Sequence, residues 1–558
     1  MFKRGVFMAQ QKLELTWYGK ENDIKVEPRL LIENHKLSFK YFKKGNAYVN
    51  NDDNLLIHGD NLIALKALEN NFTGKIKCIV IDPPYNINVI NSGEYDDNIP
   101  HSEWLTLMKA RLVILRKLLS KDGVIWISID DRELSYLTVL CNEIFGFDNF
   151  VACLPTIMNL KGNQDQFGFA GTHEYTLVYA KNKNLVQFNK FEVDEEGIMS
   201  HWEEDEIGYY KKGANLKATG VNAPRDKRPN LFFPIYVGPD NDISIDHIEG
   251  YDKVFPTTDE AEMSWRWSKN KIDNEKYNII VTRSNNGISF YKKQRPELGE
   301  LPSTKPKSVF YKPEYSSGNG TSQIKKIFGY KAFPYPKPEE LIKDFILLST
   351  KENDYVLDSF LGSGTTAAVA HKLKRKWIGI ELTDNAYKLC KVRLDKVISN
   401  KDKGGISSSV NWNGGGSYKF YELAPSLIEV DEFDQAIINS EYNADMLAAA
   451  IALHEGYKYE PDQVTFWKQA KNGDSSYLFT TTKHLDRTYI DAIHAQMNDD
   501  EFLVISCKSF ESNIRHLYKN ISIKKIPQSL LKNCEFGVDN YNLNIINPPV
   551  YEEDDEDE

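Results

Sequence analysis

A chain of 558 residues exceeds what one small core accommodates and suits two to four domains with clefts between them. With 41% hydrophobic and 27% charged residues it has ordinary soluble globular composition. No apolar run reaches the roughly 18 residues of a membrane span, and Met1 to Met8 lacks the sustained apolar stretch of a secretory signal.

Six cysteines (Cys78, Cys141, Cys153, Cys390, Cys507, Cys534) without a CxxC pair speak against a zinc site or a disulfide framework and for a reduced cytoplasm. The net charge of −11 argues against a phosphate-rich partner until its distribution is read. Residues 552 to 558 are all acidic, and without these seven charges the net charge is −4. Met263 to Lys331 carries 14 Lys and Arg against 5 Asp and Glu, interleaved with Trp265, Trp267, Tyr291, Tyr311 and Tyr315. That is the pattern of a nucleic-acid face, or of a solvated basic loop region.

Taken in chain order, Leu55-Leu56-Ile57 and Ile79-Val80-Ile81 have the form of buried parallel strands, with a helix from Leu62 to Leu68 between them. A helix from Ser102 to Ser120 keeps Trp104, Leu105, Met108, Leu112, Leu115, Leu118 and Leu119 on one face. Gly123 ends it, and Val124 to Ile129 is the next strand. From 185 to 318 the rhythm gives way to polar, aromatic sequence rich in Pro, Gly and Asn, expected to be a separate module inserted between two halves of an α/β domain. The rhythm returns with a strand at Tyr355 to Leu357, a helix from Thr365 to Leu373 and a strand at Trp377 to Ile380, a second βαβ unit completing one sheet. Residues 401 to 417 read as a flexible linker. A small α/β appendage (418–551) follows, with a helix from Tyr442 to Leu453 and a strand from Phe502 to Ser506; the acidic tail is expected to be disordered.

Asp82-Pro83-Pro84-Tyr85 follows directly on the strand Cys78 to Ile81, at the carboxyl end where open α/β sheets build active sites. An exocyclic amine on adenine is a weak nucleophile because its lone pair is delocalised into the ring, so a catalyst must accept its N–H bonds. Asp82 supplies one acceptor, and the two prolines fix the direction of the Pro83 carbonyl as another. Tyr85 offers a flat face to a base swung out of the duplex, where stacking recovers about 1–3 kcal/mol. Taken alone, the tetrapeptide is also compatible with a rigid turn after a strand.

Asp358-Ser359-Phe360-Leu361-Gly362-Ser363-Gly364-Thr365-Thr366 lies between a strand and a helix, with glycines where a backbone passes close to a ligand. It lacks the GxGxxG spacing and ends in no Gly-Lys-Ser/Thr, which disfavours NAD and ATP. Glu381 ends the next strand 23 positions after Asp358, where an acid can take the two hydroxyls of a ribose. The alternative is a glycine-rich turn with a chance acid.

In this order the two motifs resemble the β-class amino-methyltransferases of DNA, in which the catalytic motif precedes the cofactor loop and a target recognition region lies between them. The likeness is greatest to the modification subunits of type III restriction-modification systems and covers about residues 10 to 400. It extends to Leu13 to Lys20, Ile57-His58-Gly59-Asp60-Asn61, His173 to Lys181 and Phe333 to Pro338. The resemblance implies a Rossmann-like S-adenosylmethionine-dependent α/β fold with circularly permuted motifs. It would comprise an N-terminal arm (1–50), a catalytic half (51–184), a target recognition domain (185–318) and a cofactor-binding half (319–400), before the linker and appendage. It further implies methyl transfer to N6 of adenine in double-stranded DNA with base flipping. Asp82, Pro83, Pro84 and Tyr85 would be catalytic, and Asp358, Phe360, Gly362, Gly364, Thr365 and Glu381 would bind the cofactor.

By resemblance Asp60 lies near the cofactor adenine, and Thr321 and Lys337 lie in segments that close over its methionine part. Read as residues, Asp60 is equally a helix N-cap, and Lys337-Pro338 the start of a helix from Glu339 to Leu348. A homodimer and a separate helicase-nuclease restriction subunit are carried over from the family. The alternatives are cytosine-N4 methylation, in which Ser commonly stands in place of Asp82, and a mainly DNA-targeting role. His173 is expected to be structural, because the amine proton becomes acidic once the nitrogen carries the methyl group. Asp130-Asp131 and Glu203-Glu204 read as solvated loop charges, and transfer from a sulfonium requires no metal.

Overall fold

Leu56, Ile57, Ile79, Ile81, Ile125 and Ile127 are fully buried, because the strands that carry them are covered on both faces. The computed structural model describes residues 14–541 apart from 23, 42–53, 87–98, 163–167, 194, 259–260, 286, 297–300, 532 and 540. Met1 to Met8 and the acidic tail 552–558 therefore lie outside the described residues. Two compact units are present, Met1–Asn189 with Lys307–Glu558, and Lys190–Pro306.

The first unit is built on a ten-stranded sheet in the order Leu31–Glu33, Gly416–Leu423, Leu55–His58, Lys376–Glu381, Tyr355–Asp358, Ile76–Ile81, Leu119–Ile129, His173–Ala180 and Phe150–Ile157, with Phe39–Tyr41 paired to Gly416–Leu423 off this path. From Gly416–Leu423 to Leu119–Ile129 the pairing is parallel, and His173–Ala180 pairs antiparallel with Leu119–Ile129 on one side and Phe150–Ile157 on the other. The chain leaves Tyr355–Asp358 for a neighbour on one side, Lys376–Glu381, and leaves Ile76–Ile81 for a neighbour on the other, Leu119–Ile129. The winding thus reverses between Tyr355–Asp358 and Ile76–Ile81, which pair with Leu357 opposite Ile79. A crevice opens at the carboxyl ends of such a pair. The two expected halves do form one sheet, with strands from distant parts of the chain interleaved.

The helix Asn61–Phe72 starts at Asp60, whose carboxylate accepts from the Leu62 and Ile63 amides and caps two otherwise orphaned donors. The helix His101–Leu118 buries Trp104, Leu105, Met108, Leu112, Leu115 and Leu118 as its periodicity requires. It stops before Gly123, which lies inside the strand Leu119–Ile129 and does not cap the helix. A Cβ on Gly123 would approach the Ile76 carbonyl to 2.8 Å, so this glycine permits close backbone passage.

The flexible linker expected at 401–417 is a well-packed segment. Ile406 and Trp412 are buried, and Trp412 donates its indole N–H to the Val397 carbonyl. Gly414 has φ +82°, and a Cβ there would come within 2.6 Å of the Asn400 Cβ. These glycines serve close approach and left-handed geometry, which composition alone reads as looseness. The strand Gly416–Leu423 then joins the central sheet, so residues assigned to the appendage belong to the core.

Beyond it lies a five-stranded sheet ordered Lys458–Tyr459, Ala470–Asn472, Ser476–Leu485, Phe502–Phe510, Ile521–Lys525. It is accompanied by helices Ala444–Glu455 and Arg487–His494. Among the described residues no helix is long and apolar enough to cross a membrane.

The second unit holds a four-stranded sheet, Ile279–Ser284, Gly287–Gln294, Gly208–Asn215 and Glu203–Asp205, and a three-stranded one. Leu216, Phe233, Ile235, Trp265 and Phe290 form its core. Trp265 is therefore packing, with its N–H on the Phe233 carbonyl. Several other aromatics of this unit lie beneath ammonium groups: Lys212 sits 3.8 Å from the Tyr291 ring centre, and Lys271 and Lys292 sit 4.9 and 5.3 Å from that of Trp267. Tyr315, in the first unit, is also core, its hydroxyl held by Asp344.

Candidate active site

Asp82 follows the strand Ile76–Ile81 and Asp358 ends the strand Tyr355–Asp358, so the two sequence motifs meet across the crevice. A cavity of about 320 Å³ between them is lined by Asp82, Pro83, Pro84 and Tyr85 on one side and by Asp358, Phe360, Gly362, Thr365 and Thr366 on the other. Phe333, Tyr335 and Lys337 form a further wall.

The Asp82 turn is held from behind, where the Trp104 indole donates to the Pro84 carbonyl at 2.8 Å. The Tyr85 hydroxyl donates to Asp82 Oδ1 at 2.6 Å. Lys337 Nζ lies 3.0 Å from the same oxygen, 2.7 Å from the Tyr85 hydroxyl and 3.2 Å from Glu174 Oε2. An ammonium has three protons, and these three acceptors use them all. Burial and the neighbouring Asp82 and Glu174 charges push the Tyr85 phenol well above its ordinary value. Burial would lower the Lys337 pKa, yet the Asp82 and Glu174 carboxylates hold it above its usual range. Glu174 is raised, chiefly by burial.

The glycine loop is equally fixed. Asp358 accepts from the Phe360 amide at 2.9 Å, and burial pushes its carboxyl up to about 7. The Gly362 amide donates to Glu381 Oε2 at 2.8 Å, while Glu381 Oε1 accepts from Thr383. Gly362 has φ +54°, and a Cβ there would stand 3.0 Å from Phe333 Cζ. Gly364, at φ +78°, begins the helix Thr365–Lys372. Thr365 Oγ1 donates to the Lys337 carbonyl at 3.3 Å, tying the loop to the opposite wall.

Four expected site residues are not among those lining the cavity: Asp60, Gly364, Glu381 and Thr321. Asp60 is 1% exposed, its Oδ1 on the helix cap and its Oδ2 3.1 Å from the Tyr541 amide and 3.5 Å from Arg111, so its described bonds are those of the N-cap reading. Glu381 acts on the loop through Gly362. Thr321 lies in the helix Ser317–Phe328, which packs closely on the cavity wall at Gly320, where a Cβ would reach 2.1 Å from the Pro336 carbonyl. His173 is exposed on the opposite face of its strand from Glu174. Asp130 caps the helix Asp131–Phe145. Glu174 was not anticipated; its signal was an acid placed at the head of the strand His173–Ala180, which is separated from the catalytic strand by Leu119–Ile129 alone.

Three carboxylates, Asp82, Glu174 and Asp358, and one ammonium, Lys337, line this space. A phosphate would meet repulsion there, whereas a ligand carrying a sulfonium and an ammonium would be stabilised. Gly362, in a left-handed conformation and with a Cβ position only 3.0 Å from Phe333, keeps the cavity face of the loop free of a side chain. The residues present thus fit S-adenosylmethionine.

A doubly wound α/β sheet with an acid-proline turn and a glycine loop at its switch point defines a Rossmann-like methyltransferase class. A model of the DNA methylase family matches residues 76–392, a span that encloses both motifs, and the chain belongs to that family. It is 40% identical over 437 residues to the EcoPI Mod subunit of a type III restriction-modification enzyme from Escherichia phage P1, over 69% of this chain and 66% of that protein. It is 36% identical over 413 residues to a probable HindVI Mod subunit from Haemophilus influenzae, over 67% of this chain and 54% of that protein. The chain thus spans between about half and two thirds of the length of these relatives. A crystal structure of an M1.HpyAVI–SAM complex aligns with a TM-score of 0.30 and 16% identity, over 61% of this chain and 99% of that one.

Proposed function

We propose that this protein transfers a methyl group from S-adenosylmethionine to N6 of adenine in double-stranded DNA, acting as the modification and specificity subunit of a type III restriction-modification system. The observation that carries this reading is the convergence of Asp82 and Tyr85 with the Asp358–Thr365 loop on one cavity. The relatives named Mod subunits support the type III assignment.

In this reading Asp358, Phe360, Gly362 and Thr365 hold the cofactor, Glu381 sets the loop through the Gly362 amide, and Lys337 closes the wall. When bound, S-adenosylmethionine supplies a methyl group activated on a sulfonium. Asp82 accepts one N–H of the target amine and the Pro83 carbonyl the other, drawing the nitrogen lone pair out of the ring. Asp82 and the Pro83 carbonyl would hold the amine toward that methyl group, and the proton the nitrogen sheds on methylation would pass along the Asp82 hydrogen bond to solvent. Tyr85 flanks the flipped base. The unit Lys190–Pro306, with its lysine-covered aromatics, is the target recognition module, its lysines offering phosphate contacts and its aromatic rings base contacts. A homodimer, a helicase-nuclease partner and a cytoplasmic setting, consistent with six unpaired cysteines, complete the proposal.

Single-molecule sequencing of DNA from cells expressing the intact chain or Asp82→Ala tests it. One short motif carrying N6-methyladenine only with the intact chain is expected. N4-methylcytosine in its place would overturn the choice of base, and unmodified DNA would overturn the activity.

A further inference from the structure

We propose that Glu174 is a positioning residue that takes the Lys337 ammonium away from Asp82 when the target amine enters; this rests on the reading of the site as an amino-methyltransferase. The difficulty it resolves is visible in the bonds of Asp82. Asp82 Oδ1 already accepts from both the Tyr85 hydroxyl, at 2.6 Å, and the Lys337 ammonium, at 3.0 Å. An aromatic amine is a much weaker donor than an ammonium and cannot displace it unaided. At the second oxygen of Asp82 the problem persists, because an ammonium bound to one oxygen withdraws charge from the whole carboxylate. Asp82 can draw on the amine only when Lys337 has moved.

Glu174 has what that movement requires. Its Oε2 is already 3.2 Å from Lys337 Nζ and 3.2 Å from the Tyr85 hydroxyl, so both donors of Asp82 also touch Glu174. Its Oε1 is buried and has no partner among the described residues. A buried acceptor without a donor is costly and is rarely left so. A small rotation of the Lys337 terminus exchanges Asp82 for this vacant oxygen, leaving the ammonium with the same number of partners while Asp82 regains its charge. Glu174 lines the cavity beside Asp82 and heads the strand His173–Ala180, which places its carboxylate within reach of the Lys337 terminus. The same step returns Lys337 to Asp82 as the methylated base departs.

The test is single-turnover methylation at saturating cofactor and DNA, with the intact chain, Glu174→Gln, Lys337→Met and the double variant. Glutamine keeps the shape but is a weaker ammonium acceptor. Glu174→Gln is expected to slow the methylation step about 10- to 100-fold while the Kd values for cofactor and DNA, measured by calorimetry, change less than about threefold. Lys337→Met in that background should restore at least tenfold, since the cation that Glu174 must remove is then absent. A double variant no faster than Glu174→Gln, or a Glu174→Gln chain as fast as the intact one, overturns the proposal. Matching thermal unfolding and cofactor affinity of Glu174→Gln and the intact chain exclude a folding defect as the cause of slowing. An intact chain that methylates no DNA overturns instead the reading on which the proposal stands.

Discussion

Trp104 donates its indole N–H to the Pro84 carbonyl at 2.8 Å, although its ring is buried in the core of the central domain. The helix His101–Leu118 thereby fixes the turn that carries Asp82 and Tyr85. Trp104→Phe keeps most of the apolar volume and removes the donor, leaving the Pro84 carbonyl without it. A stability loss of about 1–3 kcal/mol is expected from the orphaned acceptor and the lost volume. Methylation should slow about tenfold with cofactor affinity unchanged, because the turn loosens and the glycine loop does not. Chemical denaturation and single-turnover rates check the two halves; an unaltered rate in a folded variant would detach Trp104 from the turn.

Asp82→Ala and Tyr85→Ala each remove a group on the catalytic side of the cavity and leave the Asp358–Thr365 loop with its own bonds to Glu381 and Phe360. Both variants should lose methyl transfer by at least 1000-fold, with cofactor affinity within about threefold of the intact chain as read by calorimetry. Loss of cofactor binding in both would refute the division of the cavity into two sides.

Gly362→Val tests the other side. Gly362 lies at φ +54°, a left-handed conformation that a β-branched residue strongly resists, and a Cβ would meet the Phe333 ring at 3.0 Å. The strain is about 1–3 kcal/mol, and the valine also crowds the cavity. Cofactor binding should fall below detection by calorimetry, and Phe333→Ala should fail to restore it because the backbone conformation still excludes valine. Undiminished affinity would remove the loop from the cofactor site.

The parts of this architecture that sequence made legible are those where local pattern and tertiary role coincide. The runs ending at Ile57, Ile81, Ile127, Leu357 and Ile380 are apolar because both faces of a parallel strand are covered, and the Asp82 turn after Ile81 and the Asp358–Gly364 loop after Leu357 mark the crevice edge. Gly414 and Asp60 were less legible for a physical reason. A glycine needed for contact with Asn400 looks the same in sequence as one in a loose linker, and a cap carboxylate looks the same as a ligand carboxylate. Glu174 was hidden because its role depends on Lys337, 163 residues away, and no periodicity couples the two. Trp265 and Tyr315 joined the basic segment by composition, yet burial makes both of them core.

Asp358 sets the pH dependence of cofactor binding. Burial raises its carboxyl from the ordinary 3.8 to about 7, against the hydrogen bonds from Thr366 and the Phe360 amide. The folded chain therefore holds this proton more tightly than the unfolded one. The stability this contributes is full below about pH 3.8 and is lost as pH rises through about 7. A cationic ligand reverses the preference, because it favours the ionised carboxylate beside it. Cofactor affinity should rise about tenfold between pH 6 and pH 8 in the intact chain, approaching one decade per pH unit only below the pKa. In Asp358→Asn the group that titrates is gone, so affinity should be weaker and flat over the same interval. Calorimetry at the two pH values decides between these outcomes, and a variant with the same slope as the intact chain would assign the titration to a different group.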